Sequence, residues 1–335
     1  MGKINIIDGK CRYPLMIRAA FYLINVIVFT LILIPALSPR ISLWWLDNLI
    51  NLQLQWSFFA ILLVLINIKY IQQYVIPLSI VYFLIIAYNQ VPLYLSNKSP
   101  LQDREILTIA QLNIRYKNPN IDELIFKIST SAYDVIVLQE VADYQHEEIK
   151  KLTRYYPYSI GIKPLESSPS GLALFSKWPI VNKKIHDMGH TKGHFIEAII
   201  QTPKTSTPVQ IYALHPSSPR TEKLWQLRNA TLDYVAHQVA SSFLQYKIVI
   251  GDINTTPWST EFKYLEKISS LTNTAAGFGY IPSWSYSNRN NLIRVLSSAY
   301  IDHCLVSNSF NVIKKEYQVV KGTDHVLIFT KLGIE

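Results

Sequence analysis

The sequence predicts an α/β domain preceded by three transmembrane α-helices. Charge is nearly absent from the first hundred residues, and from residue 106 onward short β-branched runs alternate with amphipathic segments. One strand after another also ends on a polar or charged side chain, and that pattern locates the chemistry.

The chain has 335 residues, enough for one large domain or two ordinary ones. Its charged fraction is 16% and its formal net charge +9. Residues 1–100 hold seven basic residues (Lys3, Lys10, Arg12, Arg18, Arg40, Lys69, Lys98) against two acidic ones (Asp8, Asp47), net +5. The basic balance is therefore in part a membrane-topology signal, and poor evidence for nucleic-acid binding. Cys11 and Cys304 are the only cysteines, one ahead of the first apolar span and one inside a core strand, so no disulfide is expected. No cysteine or histidine spacing points to zinc.

Uncharged stretches of 21, 21 and 28 residues separate Arg18 from Arg40, Asp47 from Lys69, and Lys69 from Lys98. A helix needs about 20 residues to cross a hydrocarbon core, so transmembrane helices are expected at about 19–39, 48–68 and 73–95 within a membrane anchor over 1–96. Pro77 suits the first turn of the third, and Trp44, Trp45, Trp56, Tyr88 and Tyr94 suit interfacial belts. Ala36-Leu37-Ser38 has the form of a signal-peptide cleavage site, but Pro39 follows and the apolar region is long, so the first span reads as a retained helix. A soluble helical bundle is the other reading, and the scarcity of charge argues against it. With the N-terminus inside, five basic residues (Lys3, Lys10, Arg12, Arg18, Lys69) face the cytoplasm and three (Arg40, Lys98, Arg104) the other side. This predicts a multi-pass protein of the inner (plasma) membrane, with a linker at 97–105 and a domain at 106–335 outside the cytoplasm.

That domain reads as follows. A strand over Ile106 to Leu112 delivers Asn113, and Asn120 caps a helix over Ile121 to Thr130. The strand Ala132 to Leu138 ends on Gln139-Glu140, and a helix follows near His146 to Thr153. Leu172 to Phe175 is a core strand. Phe195 to Gln201 and Val209 to Leu214 form an antiparallel pair that ends on His215. A long helix from Thr221 to about Phe243 carries Leu224, Leu227, Leu232, Val235 and Val239 at helical spacing. The stretch KIVIGDINTTPW (247–258) is a buried strand that breaks after Asp252 and Asn254, two residues that share a direction. Taken alone, that break reads as an ordinary Asp/Asn turn. Tyr300 to Val306 carries Asp302 and His303. Tyr317 to Val320 and Val326 to Phe329 flank Asp324-His325. Asp302 inside an apolar strand needs a partner. Trp258 and Trp284 read as core or site-wall aromatics, and His190, His194 and His303 as structural or surface residues.

LNIR (112–115), LQE (138–140), GDIN (251–254), IDH (301–303) and TDH (323–325), in this order, resemble the motifs of the endonuclease/exonuclease/phosphatase superfamily. GDINTTPWS followed by GFGYIPSWS (277–285) is similar to a bacterial membrane-anchored branch of it. Three positions depart from the pattern: Arg115 stands where a second asparagine is usual, Ala213-Leu214 where Asn-Thr precedes the histidine, and Thr323 where serine opens the last motif. The resemblance implies a four-layer α/β sandwich, deoxyribonuclease I-like, with two mostly antiparallel sheets face to face.

It also implies metal-dependent hydrolysis of a phosphate ester, most simply a phosphodiester, with Mg²⁺ or Mn²⁺ as cofactor. Glu140 would be the principal metal ligand, with Asn113 and Asp324 assisting. His325 would act as base or phosphate contact, oriented by Asp302. Asp252 would position or deprotonate water, and Asn254 and His215 would donate to phosphoryl oxygens. The implied substrate is a lipid headgroup at the bilayer or a nucleic acid, and no obligate protein partner is implied. The alternatives are an extracytoplasmic endonuclease or exonuclease and a catalytically inactive membrane adaptor.

Overall fold

The computed structural model describes residues 5–7, 10–12, 15–37, 43–70, 75–95, 105–161, 171–187, 194–286 and 291–334. The linker expected at 97–105 lies outside them except for Glu105, and His190 lies outside them too. Strands β1 (Asn5–Ile7) and β2 (Lys10–Arg12) precede helices α1 (Leu15–Leu37), α2 (Trp44–Ile50), α3 (Gln53–Tyr70) and α4 (Val75–Gln90). Then follow β3 (Glu105–Asn113), α5 (Ile121–Ser129), β4 (Val135–Gln139), α6 (His146–Lys150), β5 (Tyr158–Ile160), β6 (Ala173–Ser176), β7 (Ile180–Asp187), β8 (His194–Gln201) and β9 (Pro208–Leu214). The chain continues through α7 (Glu222–Ser241), β10 (Tyr246–Asp252), α8 (Thr260–Ser269), β11 (Leu271–Asn273), β12 (Trp284–Ser285), α9 (Asn291–Leu296), β13 (Ser298–Ala299), β14 (Asp302–Ser307), β15 (Asn311–Val319) and β16 (Val326–Ile334).

Two six-stranded sheets result, ordered β15-β16-β3-β4-β6-β5 and β11-β14-β10-β9-β8-β7. Each is antiparallel except for one central parallel pair, β3 with β4 and β9 with β10. A parallel pair needs a long crossover, and α5 and α7 supply the two. Side-chain alternation builds the layers. Leu107 and Ile109 of β3 and Ile248 and Ile250 of β10 meet in the core between the sheets. Ala110 and Leu112 pack outward against Leu124 and Ile128 of α5, while Val249 packs outward against Leu232 and Val235 of α7 and Phe262 of α8. This is the four-layer sandwich.

The elements follow the sequence reading with local differences. Helix α8 was not anticipated; Ser259 caps it, its Oγ accepting from the Glu261 N–H, and Phe262 and Leu265 anchor its buried face. Strand β7, the edge of its sheet, was also missed because Lys183 and Lys184 break its apolar pattern. In the first turns of α7 the buried face is Trp225 and Arg228, whereas Leu224 and Leu227 are half-exposed.

The N-terminal helices depart further from expectation. The span expected at 48–68 is broken: α2 and the Gln53–Ile66 part of α3 meet at a bend of 67°. Among the described residues no single helix is long and apolar enough to cross a membrane, and this bent pair passes that test only together. Asp47 of α2 is drawn into the α/β domain, where it is fully buried against Arg228. Trp44, expected in an interfacial belt, instead donates from Nε1 to the Pro219 carbonyl. Helices α1, α3 and α4 pack on one another through Val28, Ile32, Ala60, Leu63, Tyr82 and Ile85. Leu23, Val26, Phe59, Leu65, Phe83 and Leu84 point outward.

Gly251 is the tightest backbone approach near the site. Its φ is +147°, and a Cβ there would stand 2.0 Å from the Leu214 carbonyl oxygen. Gly251→Ala should therefore lower stability by roughly 3 kcal/mol or more, read as a lower midpoint of thermal unfolding. An unchanged midpoint would show that β9 and β10 can move apart.

Candidate active site

Strand register decides which strand ends meet. In the first sheet β3 and β4 are parallel with Asn113 beside Gln139, so Asn113 and Glu140 leave the sheet together. In the second, Gly251 lies beside Leu214 and Asp252 beside Asp302, which brings His215, Asp252 and Asp302 to one edge. His325, just before β16, closes the site from the first sheet.

Asn113 Nδ2 lies 3.0 Å from Glu140 Oε1 and 3.1 Å from Asp252 Oδ2, donating to both carboxylates. Its Oδ1 accepts from the Arg115 N–H at 3.0 Å. His215 Nε2 is 3.9 Å from Glu140 Oε1 and 3.8 Å from Asp252 Oδ2. His325 Nδ1 is 2.9 Å from Asp302 Oδ2, and its Nε2 is 3.7 Å from Asp252 Oδ2. Asn254 takes its place through its N–H on Asp252 Oδ1 (3.1 Å) and its Nδ2 on the Pro216 carbonyl (3.1 Å). Asp324 accepts from Trp284 Nε1 at 2.9 Å, which makes Trp284 a site-wall residue. Trp258 is core instead, donating to the Asn89 carbonyl. His303 is buried and structural, its Nε2 3.0 Å from the Thr255 carbonyl. His194 pairs with Asp187 on the β7–β8 ribbon.

Thr323 retains what serine would supply in the last motif. Its hydroxyl donates to the Asn113 carbonyl at 2.8 Å and accepts from the His325 N–H at 3.1 Å. Backbone conformation also marks the site. Arg115 (φ +64°), Glu140 (+58°) and Asn254 (+52°) all lie in the left-handed region, costly for Arg and Glu, and such strain concentrates at functional sites. Gly171 makes room for the Glu140 turn: its carbonyl accepts from the Val141 N–H at 2.9 Å, and a Cβ on it would meet that nitrogen at 2.7 Å.

Burial sets the electrostatics. It pushes the Asp252 carboxyl up to about 6, with help from the Asp302 charge and against His325 and His215. Burial alone would push His325 down, but the Asp302 charge and hydrogen bond prevail and raise it to about 9. Asp302 is held below its ordinary value; burial works to raise it, and the charge and hydrogen bond of His325 outweigh that. The donor set suits a hard divalent cation. Glu140 and Asp252 turn oxygens toward the same Asn113 and His215 groups, and a cation there would relieve the buried Asp252 charge. The buried ligand atoms of Asp252, Asp302 and His325 also lie within 4.8 Å of one another, but Asp302 is already committed to His325.

These shifts fix a pH dependence for the metal-free protein. A raised His325 contributes stability that is complete below its ordinary value of 6.5 and lost as pH rises through about 9. A lowered Asp302 contributes above its ordinary 3.8 and loses that contribution as pH falls further. In chelator, the loss of melting temperature caused by His325→Gln should thus be largest between about pH 4 and 6.5 and shrink toward pH 9. A loss that grows over that upper range would contradict the pairing.

A sequence profile described as the Endonuclease/Exonuclease/phosphatase family matches residues 109–325. An endonuclease/exonuclease/phosphatase from Beutenbergia cavernae DSM 12333 is similar in structure, with TM-score 0.54 and 18% identity over 69% of this chain and 72% of that one. A family protein from Bacteroides thetaiotaomicron gives 0.56 and 15% over 70% and 100%. D. rerio TDP2, solved with a single-strand DNA product, gives 0.56 and 14% over 68% and 99%. No curated protein sequence matches. At such identities the structures share the fold, while the profile spans every residue of the site from Asn113 to His325. The chain belongs to the endonuclease/exonuclease/phosphatase family.

Proposed function

We propose that this chain is a divalent-metal-dependent phosphodiesterase, held in the plasma membrane by its N-terminal helices, acting on a lipid headgroup at the extracytoplasmic face. The observation that carries the hydrolytic reading is the meeting of Glu140 and Asp252, through Asn113 and His215, beside the buried Asp302–His325 pair. Glu140 would hold Mg²⁺ or Mn²⁺, with Asn113 and Asp324 in support. The bound cation supplies charge neutralisation and polarisation of the phosphoryl group.

The residues divide the remaining work. Asp252, buried between His215 and His325, is the group placed to take a proton from the attacking water. His325, raised to about 9, is protonated at neutral pH and donates to a phosphoryl or leaving oxygen from Nε2. Asp302 keeps it charged and oriented from Nδ1. His215 and Asn254 donate to non-bridging oxygens as charge shifts. The membrane reading is supported by the outward apolar side chains of α1, α3 and α4 and by the distribution of basic residues. The lipid reading is supported by the direct seating of the domain on those helices, which keeps the site near headgroups. The DNA product bound to D. rerio TDP2 favours a second reading, a nuclease.

Full-length protein with Mg²⁺ should hydrolyse a chromogenic phosphodiester, lose activity in chelator and regain it with Mg²⁺ or Mn²⁺. Glu140→Gln should lower kcat by at least about 10³-fold with little change in thermal unfolding, and Asp302→Asn should lower it less. Full activity in chelator would sink the mechanism.

The substrate and location are tested together. The chain should stay with membranes through alkaline extraction, and in liposomes it should release a phospholipid headgroup faster than it cuts DNA. DNA cleavage that falls steeply with salt, with every lipid ignored, would put the nuclease reading in its place.

A further inference from the structure

The loop that follows Asp252 is held from behind by the N-terminal helices. Asp47 of α2 and Arg228 of α7 are both fully buried, with Arg228 Nη2 2.6 Å from Asp47 Oδ2. The same oxygen accepts from Trp225 Nε1 at 3.0 Å, and Oδ1 accepts from Ser259 Oγ at 3.0 Å. Arg228 then passes the contact on to the site: its Nη1 donates to the Asn254 carbonyl at 3.0 Å. One turn beyond Asp47, Asn51 Oδ1 accepts from the Thr256 N–H at 2.9 Å and from Thr256 Oγ1 at 2.7 Å. Residues 254, 256 and 259 are thus tied, directly or through Arg228, to side chains at positions 47 and 51.

This arrangement has a geometric purpose that a tether does not require. Removing charges from water offsets most of what a buried ion pair gains, so such a pair contributes little net stability, yet it tolerates few alternative geometries. Asn254 occupies a left-handed conformation at φ +52°, one that asparagine adopts more readily than most residues, and contacts on both sides fix it there. Those contacts are with Asp252 and Pro216 on the site side and Arg228 on the other.

We propose that Asp47 and Asn51 are positioning residues for the hydrolytic site, acting through Arg228 and Thr256 to hold the Asn254 loop in its working conformation. The N-terminal helices therefore set turnover as well as location. This rests on the hydrolytic reading above.

The test uses the full chain with Mg²⁺ and a soluble chromogenic phosphodiester. Asn51→Ala should lower kcat about 10-fold with KM changed less than about twofold. In an Asn254→Ala background the same change should cost less than about twofold further, because the group it positions is gone. Asp47→Asn should behave alike, and if it fails to fold, Asn51→Ala carries the test alone. A merely structural role would give independent, multiplying losses in that cycle, and that result overturns the proposal.

A second readout needs no activity. Amide hydrogen exchange over residues 253–259 should speed up at least about 10-fold in Asn51→Ala while β10 stays protected. Unchanged exchange there overturns the proposal. If wild-type protein hydrolyses no diester, the functional reading fails, and the exchange measurement still decides whether the helices hold the loop.

Discussion

The Asp302–His325 pair joins the two halves of the sandwich at the site. Asp302 begins β14 in one sheet, and His325 immediately precedes β16 in the other. A carboxylate without exposure to water must find a partner, and the imidazole across the gap is that partner at 2.9 Å. The contact pins the sheets together at the edge where β3, β4, β9 and β10 end. It also lowers the Asp302 carboxyl and raises the His325 imidazole, each through the other's charge and hydrogen bond. Asp252 is left as the buried carboxyl pushed upward, so three neighbouring groups differ in proton affinity because of their surroundings.

A second constraint lies below the site. Each sheet has its parallel pair at the centre, and the carboxyl ends of those pairs lie across from one another. Short loops leave from there, and three of their residues, Arg115, Glu140 and Asn254, accept left-handed backbone. Neighbouring contacts hold two of these turns: Gly171 packs behind Glu140, and Arg228 holds Asn254. The rigid sheets thus carry a site whose least favourable conformations are fixed from outside the strands.

The helices at the N-terminus join this scheme through polar contacts. Their outward surface is apolar, yet the end nearest the domain carries Asp47, Asn51 and Gln55, each bonded to it. Polar side chains in so apolar a segment are costly unless paired, and the pairs they find are in the α/β domain. These contacts anchor α2 on the domain side of the break between α2 and α3.

Much of this was legible in the chain itself. Apolar periodicity placed β3, α5, β4, β8, β9, α7, β10 and β14 within a few residues, because alternating burial and helical spacing are local properties. The order of polar strand ends singled out Asn113, Glu140, His215, Asp252, Asn254, Asp302, Asp324 and His325, and the family resemblance, backed by the need of a buried carboxylate for a partner, implied the pairing of Asp302 with His325. Charge-poor stretches located the N-terminal helices, though not the bend between α2 and α3. Strand β7 stayed hidden because an edge strand carries exposed lysines. What tertiary structure alone decided was which strand ends face each other, and that Asp47 and Arg228, 181 residues apart, meet behind Asn254. Such pairings depend on register and on packing between distant segments, and no local pattern in a sequence encodes them.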